Sequence, residues 1–131
     1  MPRFSQKSKS RLITCCDELR LVMTKAILEI DFSIICGHRS LHRQNELFNQ
    51  GFSKAPPGHS KHNRSPSDAV DIAPYPVDWQ DTDRFIYFAG RIIQIAKDFN
   101  VRLRWGGDWN MDTFLKEHFK DLGHFEVVRR N

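Results

Sequence analysis

The amino-acid sequence predicts a single small α+β domain, with helices packed on one face of a small, mainly antiparallel sheet. Three observations support this fold class. The 131 residues are the usual length of one domain. Helical and strand-like patterns follow one another without the regular strand–helix–strand repeat of a parallel sheet. Hydrophobic residues make up 40% of the chain and include ten phenylalanines, which is enough to build one core.

Three segments have the pattern of helices. Apolar residues within residues 10–30 recur at intervals of three and four, which predicts one amphipathic helix. Ser40 is a capping residue type and predicts a second helix that ends near Gly51. A third helix is predicted to begin at Asp81 or Thr82. Its inward residues are expected to be Phe85, Phe88, Ala89, Ile92, Ile95, Ala96 and Phe99.

Four short segments have the composition of strands, being β-branched or alternating. They are residues 32–36, 69–73, 101–105 and 124–128. Residues 52–66 are rich in Pro, Gly, Ser, His and Lys and predict a surface loop. The domain is expected to cover residues 1–131, with residues 1–8 flexible.

Charge and hydropathy narrow the classes of partner. The formal net charge is +4, and the basic excess lies mainly at the two ends of the chain. Such an excess favours polyanions in general, including an acidic cell wall. We expect no nucleic-acid binding, because the usual DNA- and RNA-reading motifs are absent from the sequence. We expect no stable membrane insertion, because no segment reaches the apolar length of a membrane span.

The cysteines and the N-terminal segment bear on the cellular compartment. The three cysteines lack C-x-x-C spacing, so free thiols in a reducing compartment are expected rather than a cysteine zinc site. The N-terminus is basic, but acidic residues interrupt the apolar stretch that follows, so no signal peptide is expected. We therefore expect synthesis in the cytoplasm and a separate route for any action outside the cell membrane.

Asp71 and two histidines form a candidate metal site. Asp71 alternates with apolar neighbours in a short predicted strand, where a carboxylate is costly unless a partner such as a cation neutralises it. His62 lies at the end of the preceding loop, and His124 opens the last predicted strand. Two imidazoles and one carboxylate, with water in the fourth position, are typical of a catalytic zinc ion. We therefore predict Zn²⁺ as the cofactor.

Asp121 lies three positions before His124, where it can accept a proton from metal-bound water. Each of these residues also has an ordinary interpretation when taken alone. His62 is then a solvated loop histidine, His124 a partly buried histidine, and Asp71 a turn cap or the partner of an arginine. The prediction of a metal site depends on their joint pattern.

Three motifs follow one another along the chain, accompanied by two further segments. The motifs are Ser60-x-His62, Asp68-Ala69-x-Asp71 and Asp121-x-Gly123-His124, and the segments are Gly37-His38-Arg39-Ser40 and Arg104-Trp105-Gly106-Gly107-Asp108-Trp109-Asn110. In this order the motifs resemble the zinc motifs of the LAS-type (M15) peptidases. The resemblance is strongest to the phage L-alanyl-D-glutamate endopeptidases, which are single-domain endolysins, and it spans nearly the whole chain. The interval from position 62 to position 71 is nine, longer than the family's usual seven, which we interpret as a two-residue insertion in a surface loop.

The resemblance implies specific roles for the site residues. It implies that His62, Asp71 and His124 bind zinc and that Asp121 is the catalytic base. It also implies that Arg39 holds a substrate carboxylate or the developing oxyanion, a role that suits a planar guanidinium.

The function that the resemblance implies is zinc-dependent hydrolysis of the peptide stem of bacterial peptidoglycan, at the L-alanyl-D-glutamate bond, by an endolysin in host lysis. We expect a monomer that is made in the host cytoplasm. It would act in the periplasm or cell wall after release by a separate membrane-permeabilising protein. Two alternatives remain open: a D-alanyl-D-alanine carboxypeptidase of the same fold, and a non-catalytic, zinc-stabilised cell-wall-binding module.

Several residues near these motifs have two interpretations. Asp68 either orients a ligand imidazole or bonds to the backbone at the end of a strand. Asp108 accepts a hydrogen bond from a substrate amine or from a nearby backbone amide. For Trp105 and Trp109 we favour core packing over a substrate wall, and His59 is expected at the surface.

Overall fold

The computed structural model describes residues 2–116 and 119–129; the remaining five positions of the predicted domain lie outside the described residues. The described chain has the predicted α+β organisation, with helices and a small sheet. The elements, in order, are α1 (Gln6–Leu12), α2 (Asp17–Ala26), β1 (Phe32–Cys36), α3 (Leu41–Asn49), a short 3₁₀ helix (Lys61–Asn63), β2 (Ala69–Pro74), α4 (Thr82–Asp98), β3 (Leu103–Trp105) and β4 (His124–Val127).

The four strands form one sheet with the order β1-β2-β4-β3, and each pair is antiparallel. Within the pairing of β2 with β4, Asp71 lies opposite His124. Side chains on opposite positions of an antiparallel pair have Cβ atoms about 4.5–5.5 Å apart. The sheet therefore brings two of the predicted metal ligands together.

One face of β2 belongs to the core and the other carries the site. Val70 and Ile72 are fully buried in the apolar cluster that includes Phe88 and Ile92 of α4. Because side chains alternate along a strand, Asp71 points away from this cluster, as predicted. The predicted inward face of α4 is also confirmed for its other six residues. Phe99 is the exception, because it caps the end of the helix and is 37% exposed.

The prediction of one helix over residues 10–30 is wrong. The structure has two helices here, with Cys16 as the N-cap of α2. The break occurs because the backbone binds a distant residue: the N–H of Ser67 donates to the carbonyl of Thr14 at 2.9 Å, and the N–H of Cys16 donates to the carbonyl of Ser67 at 2.8 Å. Cys15 and Cys16 are both buried in this break, not in a continuous helix.

The first helix begins inside residues 1–8, the segment expected to be flexible. Ser5 caps it by accepting the N–H of Ser8 at 3.1 Å. The buried hydroxyl of Ser8 in turn accepts the N–H of Ile34 at 3.0 Å, which joins α1 to β1. These contacts explain why regular structure starts at Gln6.

The remaining boundaries differ little from the predicted ones. Ser40 caps α3 by accepting the N–H of Arg43 at 3.0 Å. The third strand is shorter than predicted and begins at Leu103. The N–H of Val101 instead donates to the carbonyl of Ala96 at 2.9 Å, in the segment that follows α4. None of the helices in the described ranges is long and apolar enough to cross a membrane.

Asp68 is a buried carboxylate that joins three segments through ion pairs with partly exposed partners. Its carboxylate accepts hydrogen bonds from Arg129 at 2.6 Å and from Arg64 at 2.9 Å, and Arg129 also pairs with Glu18 of α2. Burial raises the pKa of Asp68, but the hydrogen bonds from the two arginines outweigh it and lower the pKa below its ordinary value. Asp68 therefore binds side chains, whereas both sequence interpretations gave it an imidazole or a backbone partner.

We expect Asp68→Asn to lower the free energy of unfolding at pH 7 by about 2 kcal/mol, the usual size of hydrogen bonds to a charged group. Because the pKa of Asp68 is lower in the folded chain than in the unfolded one, this stability is fully present above an unfolded pKa of about 4 and is lost as the pH falls through the folded value. Urea denaturation between pH 7 and pH 3 measures the effect. The difference in free energy of unfolding between variant and wild type should become smaller at low pH.

The matched control is Asp98→Asn, an exposed residue that ends α4 and accepts a hydrogen bond from Gln94 at 3.1 Å. It should change the free energy of unfolding by less than about 0.5 kcal/mol. Equal stability of Asp68→Asn and wild type at pH 7 would contradict the role assigned to the ion pairs of Asp68.

Candidate metal centre

Three side chains converge where β2, β4 and the short 3₁₀ helix meet. Nε2 of His62 lies 3.2 Å from Oδ1 of Asp71 and 3.3 Å from Nδ1 of His124, and the latter two atoms are 3.2 Å apart. Tetrahedral ligands at about 2.0–2.1 Å from a zinc ion would be separated from one another by about 3.3–3.4 Å. The three atoms thus form a nearly equilateral triangle of the size that zinc requires.

Hydrogen bonds to the outer nitrogen of each imidazole leave the lone pair of its inner nitrogen directed into this triangle. Nδ1 of His62 lies 2.7 Å from the carbonyl oxygen of Gly37, and Nε2 of His124 lies 2.8 Å from a carboxylate oxygen of Glu126. Both oxygens accept hydrogen bonds, so these two nitrogens carry the protons. In a neutral ring the other nitrogen is then a bare lone pair. Two such lone pairs and a carboxylate oxygen repel one another unless positive charge lies between them, and the donor set therefore fits a divalent cation.

The electrostatics of the cluster favour positive charge in the same place. Burial lowers the pKa of His62, but the charge and hydrogen bond of Asp71 outweigh it and raise the pKa to about 10. The pKa of His124 is raised too, because hydrogen bonds to Asp71 and Glu126 outweigh burial. Burial raises the pKa of Asp71, yet the charge of His62 and the hydrogen bond of His124 hold it far below its usual range.

His62 is held by the loop that follows β1. The N–H of Arg39 donates to the carbonyl of His62 at 2.8 Å, and the side chain of Asn63 donates to the carbonyl of Arg39 at 2.9 Å. Gly37 approaches Thr14 so closely that a Cβ atom would lie 2.3 Å from its hydroxyl oxygen. Only glycine fits there, and this close packing presents the carbonyl of Gly37 to the imidazole. The structure places His62 in the site, whereas His59 is exposed.

Asp121 reaches the cluster through a tightly packed turn. Its carboxylate and the ligand atoms of Asp71 and His124 all lie within 4.8 Å of one another. The N–H of Asp121 donates to the carbonyl of Gly106 at 2.8 Å, and a Cβ atom on Gly106 would lie 2.0 Å from the carbonyl oxygen of Asp121. The residue as a whole is exposed. Partial burial of its carboxylate and then the charge of Asp71 raise the pKa of Asp121 above its ordinary value.

Arg39 lies beside the cluster, where two side-chain oxygens and the sulfur of Cys36 accept hydrogen bonds from its guanidinium. Nη2 donates to Oδ2 of Asp71 at 3.2 Å, and Nη1 donates to the side-chain oxygen of Gln44 at 2.9 Å. Gln44 is fully buried and is itself fixed by donating to Ser53 and to the carbonyl of Ala55, each at 2.8 Å. With its side chain only 13% exposed, Arg39 orients the second carboxylate oxygen of Asp71. Its role towards substrate remains a prediction.

Two residues of the site were missed by sequence reasoning. Glu126 follows His124 by two positions and so shares its face of β4, which is a signal that the alternation could have given. Burial raises the pKa of Glu126, but the hydrogen bond and charge of His124, with Lys61, lower it to about 2. Cys36 ends β1, and its sulfur lies within 4.8 Å of ligand atoms of His62 and Asp71. No pattern in the sequence predicts that this thiol lies near the site, because only the folding of the chain brings the end of β1 close to His62 and Asp71.

Aromatic residues border the cluster. The ring of Trp109 lies 5.3 Å from that of His124 and stacks on Phe119 at 6.1 Å. The ammonium of Lys54 lies 5.2 Å from the centre of the Phe119 ring. Trp109 is therefore a wall of the site, contrary to the core packing that we favoured. For Trp105 core packing is confirmed, since it is 5% exposed.

Asp108 lies in the turn that precedes Trp109. Its carboxylate accepts the N–H of Thr113 at 2.8 Å and the N–H of Asp112 at 3.3 Å. The interpretation of Asp108 as an acceptor for nearby backbone amides is thereby confirmed.

Comparisons with known proteins place this geometry in a family. A family model described as phage L-alanyl-D-glutamate peptidase matches residues 1–128. The L-alanyl-D-glutamate peptidase of Escherichia phage T5 is 33% identical over 138 aligned positions, which cover 96% of this chain and 98% of that protein.

Two solved structures are also similar. The Serratia marcescens L-Ala D-Glu endopeptidase ChiX has a TM-score of 0.77 and 26% identity, over 97% of this chain and 91% of that one. The vancomycin-resistance D,D-pentapeptidase VanY, crystallised with Zn(II), has a TM-score of 0.52 and 13% identity over 98% of this chain and 74% of that one, which shows the fold alone. The family model covers nearly the whole sequence and agrees with the relationship that the motifs predicted, and the chain belongs to the phage L-alanyl-D-glutamate peptidase family.

Proposed function

We propose that this chain is a zinc peptidase that hydrolyses the L-alanyl-D-glutamate bond in the peptide stem of bacterial peptidoglycan. The observation that carries the proposal is the triangle of His62, Asp71 and His124 with Asp121 beside it. Family membership supports the choice of bond, since the phage T5 relative and ChiX are both named for it. VanY, named for a different bond, supports the carboxypeptidase alternative only at the level of the fold.

The donor set favours zinc over other common cations. Two imidazole nitrogens and one carboxylate oxygen are usual zinc ligands, whereas Ca²⁺ and Mg²⁺ prefer oxygen ligands throughout. Three protein ligands leave one coordination position for water, as in catalytic sites. When bound at such a site, zinc lowers the pKa of its water towards roughly 7 and polarises the scissile carbonyl.

Asp121 is the residue placed to move the proton. Its carboxylate lies within 4.8 Å of the ligand atoms of Asp71 and His124, and its raised pKa makes it a stronger base than an ordinary aspartate. It takes a proton from the attacking water and delivers it to the departing amine nitrogen. One carboxylate thus acts first as the base and then as the acid.

One cation beside the cluster and another at its aromatic border support binding of an anionic peptide. The guanidinium of Arg39 adds positive charge beside Asp71, where negative charge develops on the attacked carbonyl oxygen. Lys54 lies at the edge of the aromatic wall over Phe119. The D-glutamate beside the scissile bond carries a free carboxylate, and Lys54 is a suitable partner for it.

We propose that the substrate also determines where the chain acts. The chain is made in the cytoplasm of the host bacterium as a monomer, and a separate membrane-permeabilising protein gives it access to the cell wall. The phage family to which the chain belongs supports a role in host lysis. The net charge of +4 favours adhesion to an anionic envelope.

The first test removes the base and keeps the metal. We expect Asp121→Asn to lower kcat by about 10²- to 10⁴-fold, the usual contribution of a general base, while zinc content stays at the wild-type level. Turbidity loss of purified cell walls and elemental analysis of the same samples measure the two quantities. Asp98→Asn serves as the exposed control and should keep full activity. Full activity of Asp121→Asn would rule out Asp121 as the base.

The second test identifies the bond. Purified peptidoglycan fragments treated with the enzyme should acquire new N-terminal D-glutamate, which mass spectrometry of the products and N-terminal labelling detect. Free D-alanine as the sole product would instead establish the carboxypeptidase alternative. Zinc binding without any product would establish the binding-module alternative.

The third test concerns Cys36, whose sulfur is near enough to the His62 and Asp71 ligand atoms to complete a structural zinc clip. If the fourth position belongs to water, Cys36→Ser keeps stoichiometric zinc and a kcat within about threefold of wild type, because no metal–ligand bond is lost. A non-catalytic clip predicts a large loss of zinc affinity in the same variant. Zinc titration against a chromophoric chelator distinguishes the two.

A further inference from the structure

Glu126 is a buried carboxylate that binds three side chains around the metal centre. It lies two residues after His124 on β4, and its side chain is 11% exposed. One oxygen lies 2.8 Å from Nε2 of His124. The other lies 3.2 Å from Nη1 of Arg104 and 3.3 Å from Nζ of Lys61. All three of these contacts are with proton-donating side chains, one on the same strand and two on neighbouring segments.

These contacts connect Glu126 to both imidazoles of the site. The contact with His124 is direct and leaves Nδ1 of that ring directed at Asp71. The contact with Lys61 acts on the other imidazole, because Lys61 immediately precedes His62 in the 3₁₀ helix. Lys61 also donates to the carbonyl of Val127 at 2.7 Å, which attaches that helix to β4 at a second point.

The two cations determine how the carboxylate acts on His124. With Arg104 and Lys61 on one oxygen, the other oxygen is left to accept the imidazole N–H. A carboxylate in this position fixes the tautomer and the ring orientation of a metal-ligating histidine. The second buried acid near the site, Asp68, is paired with arginines, so the orienting role that sequence reasoning allowed for it belongs to Glu126.

We propose that Glu126 is a positioning residue that holds both imidazoles at coordinating distance, His124 directly and His62 through Lys61. This inference rests on the proposed metal centre. Glu126 contacts none of the atoms of the triangle and is therefore not assigned a catalytic role. Its effect is to have two of the three ligands in place before the ion binds, which lowers the conformational cost of binding.

The test compares zinc affinity among variants by competition with a chromophoric chelator. Glu126→Ala should bind zinc about 10- to 100-fold more weakly, the usual effect of removing an orienting partner of a ligand. Glu126→Gln keeps an oxygen for His124 but places an amide N–H₂ against Lys61 and Arg104. The zinc affinity of this variant should fall only about three- to tenfold, so that glutamine partly restores the affinity lost in Glu126→Ala.

A spectroscopic readout separates positioning from general destabilisation. The visible absorption of the Co²⁺-loaded protein reports ligand geometry, and it should change in Glu126→Ala. Asp68→Asn is the matched control, since Asp68 is also a buried carboxylate between two cations but contacts no imidazole. It should lower stability and leave both zinc affinity and the Co²⁺ spectrum unchanged.

Three outcomes would overturn the inference: wild-type zinc affinity in folded Glu126→Ala, wild-type affinity in Glu126→Gln where the alanine variant does not fold, or equal losses in Glu126→Ala and Asp68→Asn. Asp71→Ala identifies which proposal has failed. Loss of zinc in Asp71→Ala with retention in the Glu126 variants refutes the positioning role alone. Retention of zinc in Asp71→Ala refutes the metal centre itself.

Discussion

The pairing of Asp71 with His124 across β2 and β4 is the constraint on which the site depends. Hydrophobic burial maintains this register, because Val70 and Ile72 occupy the core on the opposite face of the strand. A slip of one residue would turn Asp71 into the core and the apolar side chains outward. Burial of these two aliphatic side chains therefore also stabilises the register that places the carboxylate of Asp71 against the imidazole of His124.

The cluster brings electron-rich atoms together, and they repel one another unless positive charge, from a proton or a cation, lies between them. Three electron-rich atoms are held 3.2–3.3 Å apart, and the outer hydrogen bonds to Gly37 and Glu126 prevent the imidazoles from rotating away. A cation that binds the folded state alone relieves this repulsion and stabilises the fold. The same rigidity limits rearrangement when the ion binds, which suits a catalytic site.

Local features were predictable from the sequence, and features that depend on distant contacts were not. The limits of β1, the Ser40 cap of α3 and the outward face of Asp71 follow from neighbouring residues. The break at Cys16 depends on Ser67, fifty-one positions away along the chain. The three candidate ligands were predicted from their joint pattern and from the resemblance of their motifs to those of a family, because their spacing alone does not bring the residues together.

The long interval between His62 and Asp71 is compatible with the site because the chain between them does not determine where the imidazole lies. His62 is placed by Gly37 and Arg39, through the hydrogen bonds to its ring and to its carbonyl. Asp71 is placed by the sheet. Residues 64–66, between these two anchors, are exposed, so added length there costs only loop entropy, which grows slowly with the number of residues. Variation in the length of this segment should therefore leave the triangle of His62, Asp71 and His124 atoms intact. Any change that moves the Gly37 carbonyl should distort that triangle.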